Sequence, residues 1–235
     1  YTHNWPYDRD AGNTPSEATY VWSVISILGL FLGIGIVLYV YGQFKQAGDP
    51  FNGHEMSLTT PDLEKTYVRP TQRATYKFFA FAIVLFGVQV LAGILASTDF
   101  VRPFGMSLGE IIPFTVLRSY HTLLQIYWFF MCWVGYTIFF LPRLSPVPKG
   151  QGFLIELLFW ISFLTGVGAI VGIYCGQTGI ITGPTAYWLG SQGWEFMELG
   201  RLFQYTMLIA FALWIYIIYR GVKPWLTRKN IWSVP

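Results

Sequence analysis

The stretch SYHTLLQIYWFFMCWVGYTIFFLP, residues 119–142, contains no Asp, Glu, Lys or Arg and decides the fold class of this chain. A bilayer core about 30 Å thick is crossed by about 20 apolar residues in helical conformation, so this stretch is long enough to span a membrane. In lipid its backbone polar groups must bond to one another, as they do in an α-helix. The stretch therefore predicts a transmembrane helix, and this helix carries His121.

Four further charge-free runs, which begin at Ala18, Phe78, Leu157 and Leu202, predict an all-α integral membrane bundle of five transmembrane helices. The predicted helices cover residues 20–44, 78–98, 119–142, 155–175 and 201–221. The fourth helix is expected to end near Cys175, because the following GQTGIITGP is too rich in glycine and proline to stay helical. The chain then consists of an outer N-terminal segment, residues 1–19, a membrane domain, residues 20–225, and a cytoplasmic tail, residues 226–235.

Composition excludes several other classes of protein. Of the 235 residues, 54% are hydrophobic and 11% are charged, whereas about 25% of residues are charged in an ordinary soluble domain. These values exclude a nucleic-acid-binding protein, a disordered chain and a secreted disulfide scaffold. The sequence has no P-loop, dinucleotide fingerprint, HExxH motif or nucleophile triad, so it gives no support to a hydrolase or a kinase.

The distribution of basic residues predicts the orientation of the chain. Lys and Arg accumulate in cytoplasmic loops of membrane proteins. An outer N-terminus places most of the 15 basic residues on the inner side, in the segment from Lys45 to Lys77 and in the tail from Arg220 onward. We therefore expect the N-terminus outside and the C-terminus inside.

His121 is the only one of the three histidines that lies in a predicted span. An ionisable residue at membrane depth is a functional candidate by default, and an imidazole between helices can be an axial ligand of a haem iron. Gln125, one turn further on the same face, would then line the haem pocket. A histidine packed against a neighbouring helix explains the position equally well, and that alternative describes a haem-free transporter or assembly factor.

Two arginines and two glutamates at the outer helix ends are further candidates. Arg118 and Arg201 begin the third and fifth spans and could pair with a haem propionate or serve as interfacial anchors. Glu195 and Glu198 are three residues apart and could bind a hard cation such as Ca²⁺, serve a proton route, or be solvated charges.

Four motifs in order carry a family resemblance. They are YTHNWPYDRDAGNTP at residues 1–15, RATYKFF at 73–79, LRSYH at 117–121 and GWEFMELGR at 193–201. With them the chain resembles the quinol-dependent nitric oxide reductases of the haem-copper oxidase superfamily, from Tyr1 to about Trp225. The resemblance implies a multi-pass protein of the inner (cytoplasmic) membrane of a prokaryote.

The resemblance also implies roles for individual residues. His121 would be one of two axial ligands of the low-spin haem b, and Glu195 would help to hold Ca²⁺ between the propionates of the two haems. Glu198 would be a nearby acid linked to proton transfer. These roles add to the propionate contacts that position alone suggests for Arg118 and Arg201.

Two positions depart from the pattern of the quinol-dependent enzymes. Those enzymes have a histidine and, four residues on, a glutamate that contact the quinol, whereas this chain has Thr98 and Arg102. A hydroxyl and a guanidinium cannot jointly accept the two protons that quinol oxidation releases. The nitric oxide dismutase-like enzymes are similar in lacking these residues, so we expect dismutation of NO to N₂ and O₂. Quinol-dependent reduction of NO to N₂O is the alternative.

The number of histidines limits what this chain can do alone. The resemblance implies a low-spin haem b, a high-spin haem b₃ and a non-haem iron, which together need about six histidine ligands. Only His121 lies at membrane depth. We therefore expect another chain, or the rest of a longer polypeptide, to supply the remaining ligands and helices. The sequence leaves open whether the complex dimerises.

Overall fold

The computed structural model describes residues 17–46, 69–101, 105, 111–192 and 198–224, and within these ranges the chain forms seven α-helices. They are α1 (Glu17–Gln46), α2 (Pro70–Ala74), α3 (Tyr76–Val101), α4 (Phe114–Leu144), α5 (Gln151–Gln177), α6 (Gly183–Leu189) and α7 (Arg201–Val222). The described part contains no β-strand, only an isolated bridge between Ser191 and Leu199. Among the described residues, five segments are long and apolar enough to cross a membrane, namely those formed by α1, α2 with α3, α4, α5 and α7. The predicted all-α class with five spans is confirmed.

Three of the predicted helix bounds differ from the structure for identifiable reasons. Helix α4 begins at Phe114 and includes Arg118, and α5 begins at Gln151 and includes Glu156, so a search for charge-free runs starts both helices too late. Helix α5 continues to Gln177, and Gly179 then adopts a positive φ of 77°. The short helix α6 was not predicted, although proline in its first turn is a typical start signal.

The chain divides into two compact units, residues 1–67 with 97–107 and residues 68–96 with 108–235. In the first unit, α1 is apolar along its length and exposes large side chains such as Leu32 and Val37. Such a helix is suited to contact with lipid or with other apolar helices. Most of the predicted outer segment and all of the predicted tail lie outside the described residues.

In the second unit, α3, α4, α5 and α7 pack around one apolar core. Its fully buried side chains include Phe78, Leu124, Ile138, Ile155 and Ile217. Polar groups add hydrogen bonds between helices, which stabilise bundles in lipid. These bonds join Tyr120 Oη to Ile170 O (2.7 Å), Tyr127 Oη to Ser162 O, Thr165 Oγ1 to Thr206 Oγ1 (2.8 Å) and Trp214 Nε1 to Thr137 Oγ1 (2.9 Å).

Glycines on α5 allow the segment after α6 to lie directly on this helix. A Cβ atom at Gly172 would overlap the carbonyl oxygen of Leu189, and one at Gly176 would lie 2.6 Å from the backbone nitrogen of Ser191. A larger residue at either position would therefore push this segment away. The close approach brings Glu198, just before α7, towards the end of α5.

Candidate functional site

His121 is half-buried on α4, and its imidazole contacts α3. Its Nδ1 lies 2.9 Å from the backbone oxygen of Gln89 and 3.0 Å from the Nε2 atom of the same residue. Gln89 itself is buried. One residue of α3 therefore fixes one nitrogen of the imidazole.

Gly93, one turn after Gln89, provides the space for the ring. A Cβ atom at this position would lie 2.5 Å from Nδ1 and 2.7 Å from Cε1 of His121. These distances are well inside van der Waals contact, so the imidazole can lie here only because Gly93 has no side chain. The position and orientation of the ring are thus set by α3.

The contacts of Nδ1 with Gln89 are compatible with two tautomers of His121. In one tautomer, Nδ1 donates its proton to the Gln89 carbonyl, which can only accept, and Nε2 then carries the free lone pair. Histidine ligands commonly have this arrangement, in which the second ring nitrogen donates to a carbonyl. In the other tautomer, Nδ1 accepts from the Gln89 amide and Nε2 holds the proton, as in a packed histidine. The residues present fit an axial haem ligand at Nε2.

A polar cluster lies at the same end of α4 and is formed by Arg118, Ser119, Gln177, Ser191 and Glu198. Arg118 Nη2 donates to Glu198 Oε1 at 2.7 Å. Gln177 Nε2 lies 2.8 Å from Ser119 Oγ, 3.3 Å from Ser191 Oγ and 3.4 Å from Glu198 Oε2. Helices α4 and α5 and the segment before α7 thus meet around one carboxylate.

Glu198 is a buried carboxylate, not a solvated surface charge. The residue is 7% exposed, and a buried ion is tolerated only when it is paired and hydrogen-bonded. Arg118 supplies the opposite charge, while Gln177 supplies a neutral donor. Because its partner groups belong to α4 and α5, the packing of these two helices fixes the position of this carboxylate.

Sequence reasoning missed Gln89, Gly93, Gln177 and Ser191. The contact pairs that involve them are separated by 14 to 58 residues along the chain, so no local spacing reveals them. The one local signal was the Gly- and Pro-rich stretch at residues 176–184, which predicted that the fourth helix ends near Cys175.

Arg201 and Gln125 lie on α7 and α4, respectively. Arg201 begins α7, where Nη1 donates to Gln204 Oε1 at 2.8 Å and the guanidinium lies 5.6 Å from the centre of the Tyr187 ring. Gln125 is exposed on α4. The predicted contacts of both residues with a haem stay predictions.

Other predicted residues are only partly described. Thr98 is buried near the end of α3, whereas Arg102 and Glu195 lie outside the described residues. Within the described ranges, no three His, Cys, Asp or Glu side chains form a metal-binding group. The predicted Ca²⁺ site at Glu195 thus stays a prediction.

The fold and the site define an integral membrane protein that holds a histidine between two apolar helices, with a buried carboxylate at one end. Residues 73–234 match the family described as Cytochrome C and Quinol oxidase polypeptide I. This match covers more than half of the chain, so the chain belongs to that family, the principal membrane polypeptides of the haem-copper oxidases.

One relative makes the relationship more specific. The chain is 27% identical over 164 residues to a nitric oxide reductase polypeptide of Stutzerimonas stutzeri, and the match covers 69% of this chain and 34% of that protein. The resemblance to nitric oxide reductases that the motifs indicated is thereby confirmed. The chain spans about a third of the length of this relative.

Proposed function

We propose that this chain is the haem b-binding membrane part of a nitric-oxide-converting oxidoreductase. The observation that carries the proposal is the 2.9 Å contact between His121 Nδ1 and the Gln89 carbonyl, which leaves Nε2 available for an iron. Family membership and the similarity to a nitric oxide reductase polypeptide support the same conclusion. A haem-free transporter or assembly factor gains no support from these comparisons.

His121 would be one axial ligand of a low-spin haem b. When bound, the haem supplies one-electron transfer. Gln89 and Gly93 hold the imidazole in one orientation before the haem arrives, and Gln125 would line the pocket. Arg118 and Arg201 place positive charge at the helix ends, where they would balance propionates.

Glu195 and Glu198 would have different roles. Glu198 is held by Arg118 and Gln177, and we propose that it serves proton transfer as a carboxylate of fixed position. Glu195, three residues earlier, would contribute to a Ca²⁺ site near the propionates, since carboxylate oxygens are preferred ligands of this cation.

The remaining parts of the catalytic centre would come from polypeptide beyond this sequence. A high-spin haem b₃ and a non-haem iron need further histidines, and the described part of the chain offers only His121 at membrane depth. The chain would therefore act together with the rest of a larger complex in the inner membrane of a prokaryote.

Between the two NO reactions, we favour dismutation to N₂ and O₂. Thr98 and Arg102 replace the histidine and glutamate of the quinol site, and neither side chain readily accepts a proton from quinol. Reduction of NO to N₂O is the second candidate, and it is favoured by the activity after which the relative from Stutzerimonas stutzeri is named.

Doubly labelled ¹⁵N¹⁸O supplied to the purified complex tests this proposal. Without an electron donor, dismutation gives ¹⁵N₂ together with ¹⁸O₂, and mass spectrometry detects both gases. Formation of labelled N₂O only when a donor is added would instead establish reduction. A complex that consumes no NO under either condition would contradict the proposed function.

A further inference from the structure

Basic side chains gather at one end of the bundle, where the turn between α4 and α5 meets the end of α7. Arg143 lies in the last turn of α4, Lys149 lies just before α5, and Arg220 and Lys223 lie at the end of α7. We call these four residues the basic patch. The distribution of Lys and Arg along the chain predicts that this end of the bundle is cytoplasmic.

Two hydrogen bonds hold the turn against α7. Arg220 Nη2 donates to the backbone oxygen of Lys149 at 2.7 Å, and the Ser145 hydroxyl donates to the backbone oxygen of Gly221. A Cβ atom at Gly221 would lie 2.8 Å from Cδ1 of Leu141, so a glycine is needed for α7 to approach α4 this closely. The packing of the helices therefore brings together basic residues that are as far as 71 positions apart in the chain.

The charge of the basic patch is not balanced by any carboxylate of the described residues. Arg143, Lys149 and Lys223 are exposed, and none of them forms an ion pair within the described ranges. Glu156 is the only acidic residue between positions 111 and 192, and its carboxylate contacts Lys77 at 2.5 Å. Residues 202–235 contain no Asp or Glu at all. The patch therefore presents net positive charge and favours an anionic partner.

Tyrosines beside the patch indicate that it lies at the depth of lipid headgroups. The Arg220 guanidinium lies 5.7 Å from the centre of the Tyr216 ring, and the Lys223 ammonium lies 5.7 Å from that of Tyr219. Both tyrosines are half-exposed, and such rings are typical of the boundary between membrane and water. With 22 residues, α7 is about 33 Å long and matches the hydrocarbon core, so its end reaches this boundary.

We propose that the basic patch binds the headgroup of an anionic phospholipid. The phosphate accepts hydrogen bonds from the guanidinium and ammonium groups, and the acyl chains lie along exposed apolar side chains of α7 such as Phe211 and Ile215. Basic pockets between the cytoplasmic ends of transmembrane helices bind anionic headgroups in this way. The patch lies at the opposite end of α4 from His121, so the proposal does not depend on the proposed haem site.

Native mass spectrometry of the purified and delipidated complex tests the proposal. Phosphatidylglycerol is the probe, and phosphatidylcholine is the comparison lipid without net charge. Lys149→Gln should weaken binding of phosphatidylglycerol by about fivefold, as expected for the loss of one basic residue near an anionic surface. Arg143→Lys keeps the charge and should bind as the wild type does. Lys77→Gln is the matched control, because it removes the same charge near the start of α5 from a residue that Glu156 already neutralises.

The triple variant Arg143→Gln, Lys149→Gln and Lys223→Gln should lose the preference for phosphatidylglycerol over phosphatidylcholine. Its side chains are exposed, so it should keep the melting temperature of the wild type. If it does not assemble, the Lys149→Gln variant decides.

Four results would overturn the proposal. The first is a wild-type complex without preference for phosphatidylglycerol, which would show that something else covers the patch. The second is an equal effect of Lys77→Gln and Lys149→Gln, which would indicate a general attraction by all charges at this end. The third is equally tight binding of the deacylated headgroup, which would indicate a site for a soluble anion. The fourth is a triple variant that keeps the preference of the wild type.

Discussion

The position of the His121 ring depends on one glycine and one backbone carbonyl of α3. The ring lies against Gly93, and its Nδ1 contacts the Gln89 carbonyl. Neither residue has a side chain that would mark it in the sequence as part of a site, since one is glycine and the other acts through its backbone. The sequence made His121 a candidate ligand because histidine is rare at membrane depth, but it could not identify the residues that orient the ring.

Replacing Gly93 by alanine should weaken haem binding, because the new methyl group would occupy the space of the imidazole. Changes that disturb the orientation of a metal ligand typically lower affinity by about 10–100-fold. We expect a smaller low-spin haem b signal in the difference spectrum and a shifted midpoint potential. Gly87→Ala is the control, since Gly87 lies on the same helix and a Cβ atom there would meet no neighbouring atom within 4 Å. Equal spectra for both variants would contradict the proposal that His121 is held against Gly93.

Replacing Arg118 by methionine should destabilise the protein more than replacing Glu198 by glutamine. Loss of Arg118 leaves a buried carboxylate without its charge partner, whereas loss of Glu198 leaves an arginine whose side chain is 32% exposed. We expect a loss of about 2 kcal/mol for Arg118→Met, because one partner of a largely buried pair is removed. The double variant, Arg118→Met with Glu198→Gln, should recover part of the lost free energy of unfolding. Thermal unfolding of the complex measures all three variants. Additive effects would show that the pair is not coupled.

Among the helices, α5 makes several of the contacts that assemble the site. Its glycines leave room for the segment that leads to Glu198. The side-chain amide of its last residue, Gln177, donates a hydrogen bond to the Glu198 carboxylate. Its backbone carbonyls also accept hydrogen bonds from the hydroxyl groups of Tyr120 and Tyr127 on α4. The position of the carboxylate therefore depends on the packing of this helix.

Gly172→Ala should displace the segment before α7, because the added methyl group would overlap the Leu189 carbonyl. Forcing an extra methyl group into a packed contact typically costs about 1–3 kcal/mol. Gly152→Ala, near the other end of α5 and facing open space, should be neutral or slightly stabilising. Thermal unfolding compares the two variants, and an equally stable Gly172→Ala protein would show that the close approach is not needed.

Helices were easier to predict than contacts. Charge-free runs revealed the five spans because helices in lipid are apolar, and charged residues near helix starts, such as Arg118 and Glu156, made two predicted helices begin too late. The carboxylate of Glu198 was a candidate from its spacing, but its burial depends on Gln177 and Arg118, which are distant in sequence. Tertiary contacts of this kind leave no local periodic signal.

For the molecule as a whole, the electron donor distinguishes the two NO reactions. If Thr98 and Arg102 abolish the quinol site, the purified complex should not oxidise a ubiquinol or menaquinol analogue. Absorbance of the quinol at saturating NO provides the measurement. Rapid oxidation that a quinol-site inhibitor blocks would contradict the preference for dismutation.

The identity of the haem ligand is tested most directly by the reduced-minus-oxidised difference spectrum of the complex with His121 replaced by alanine. The proposal predicts loss of the low-spin haem b signal in His121→Ala and an unchanged signal in His54→Ala, which removes a histidine from a polar segment. A His121→Ala complex that assembles and retains the full low-spin signal would contradict the proposed role of this residue.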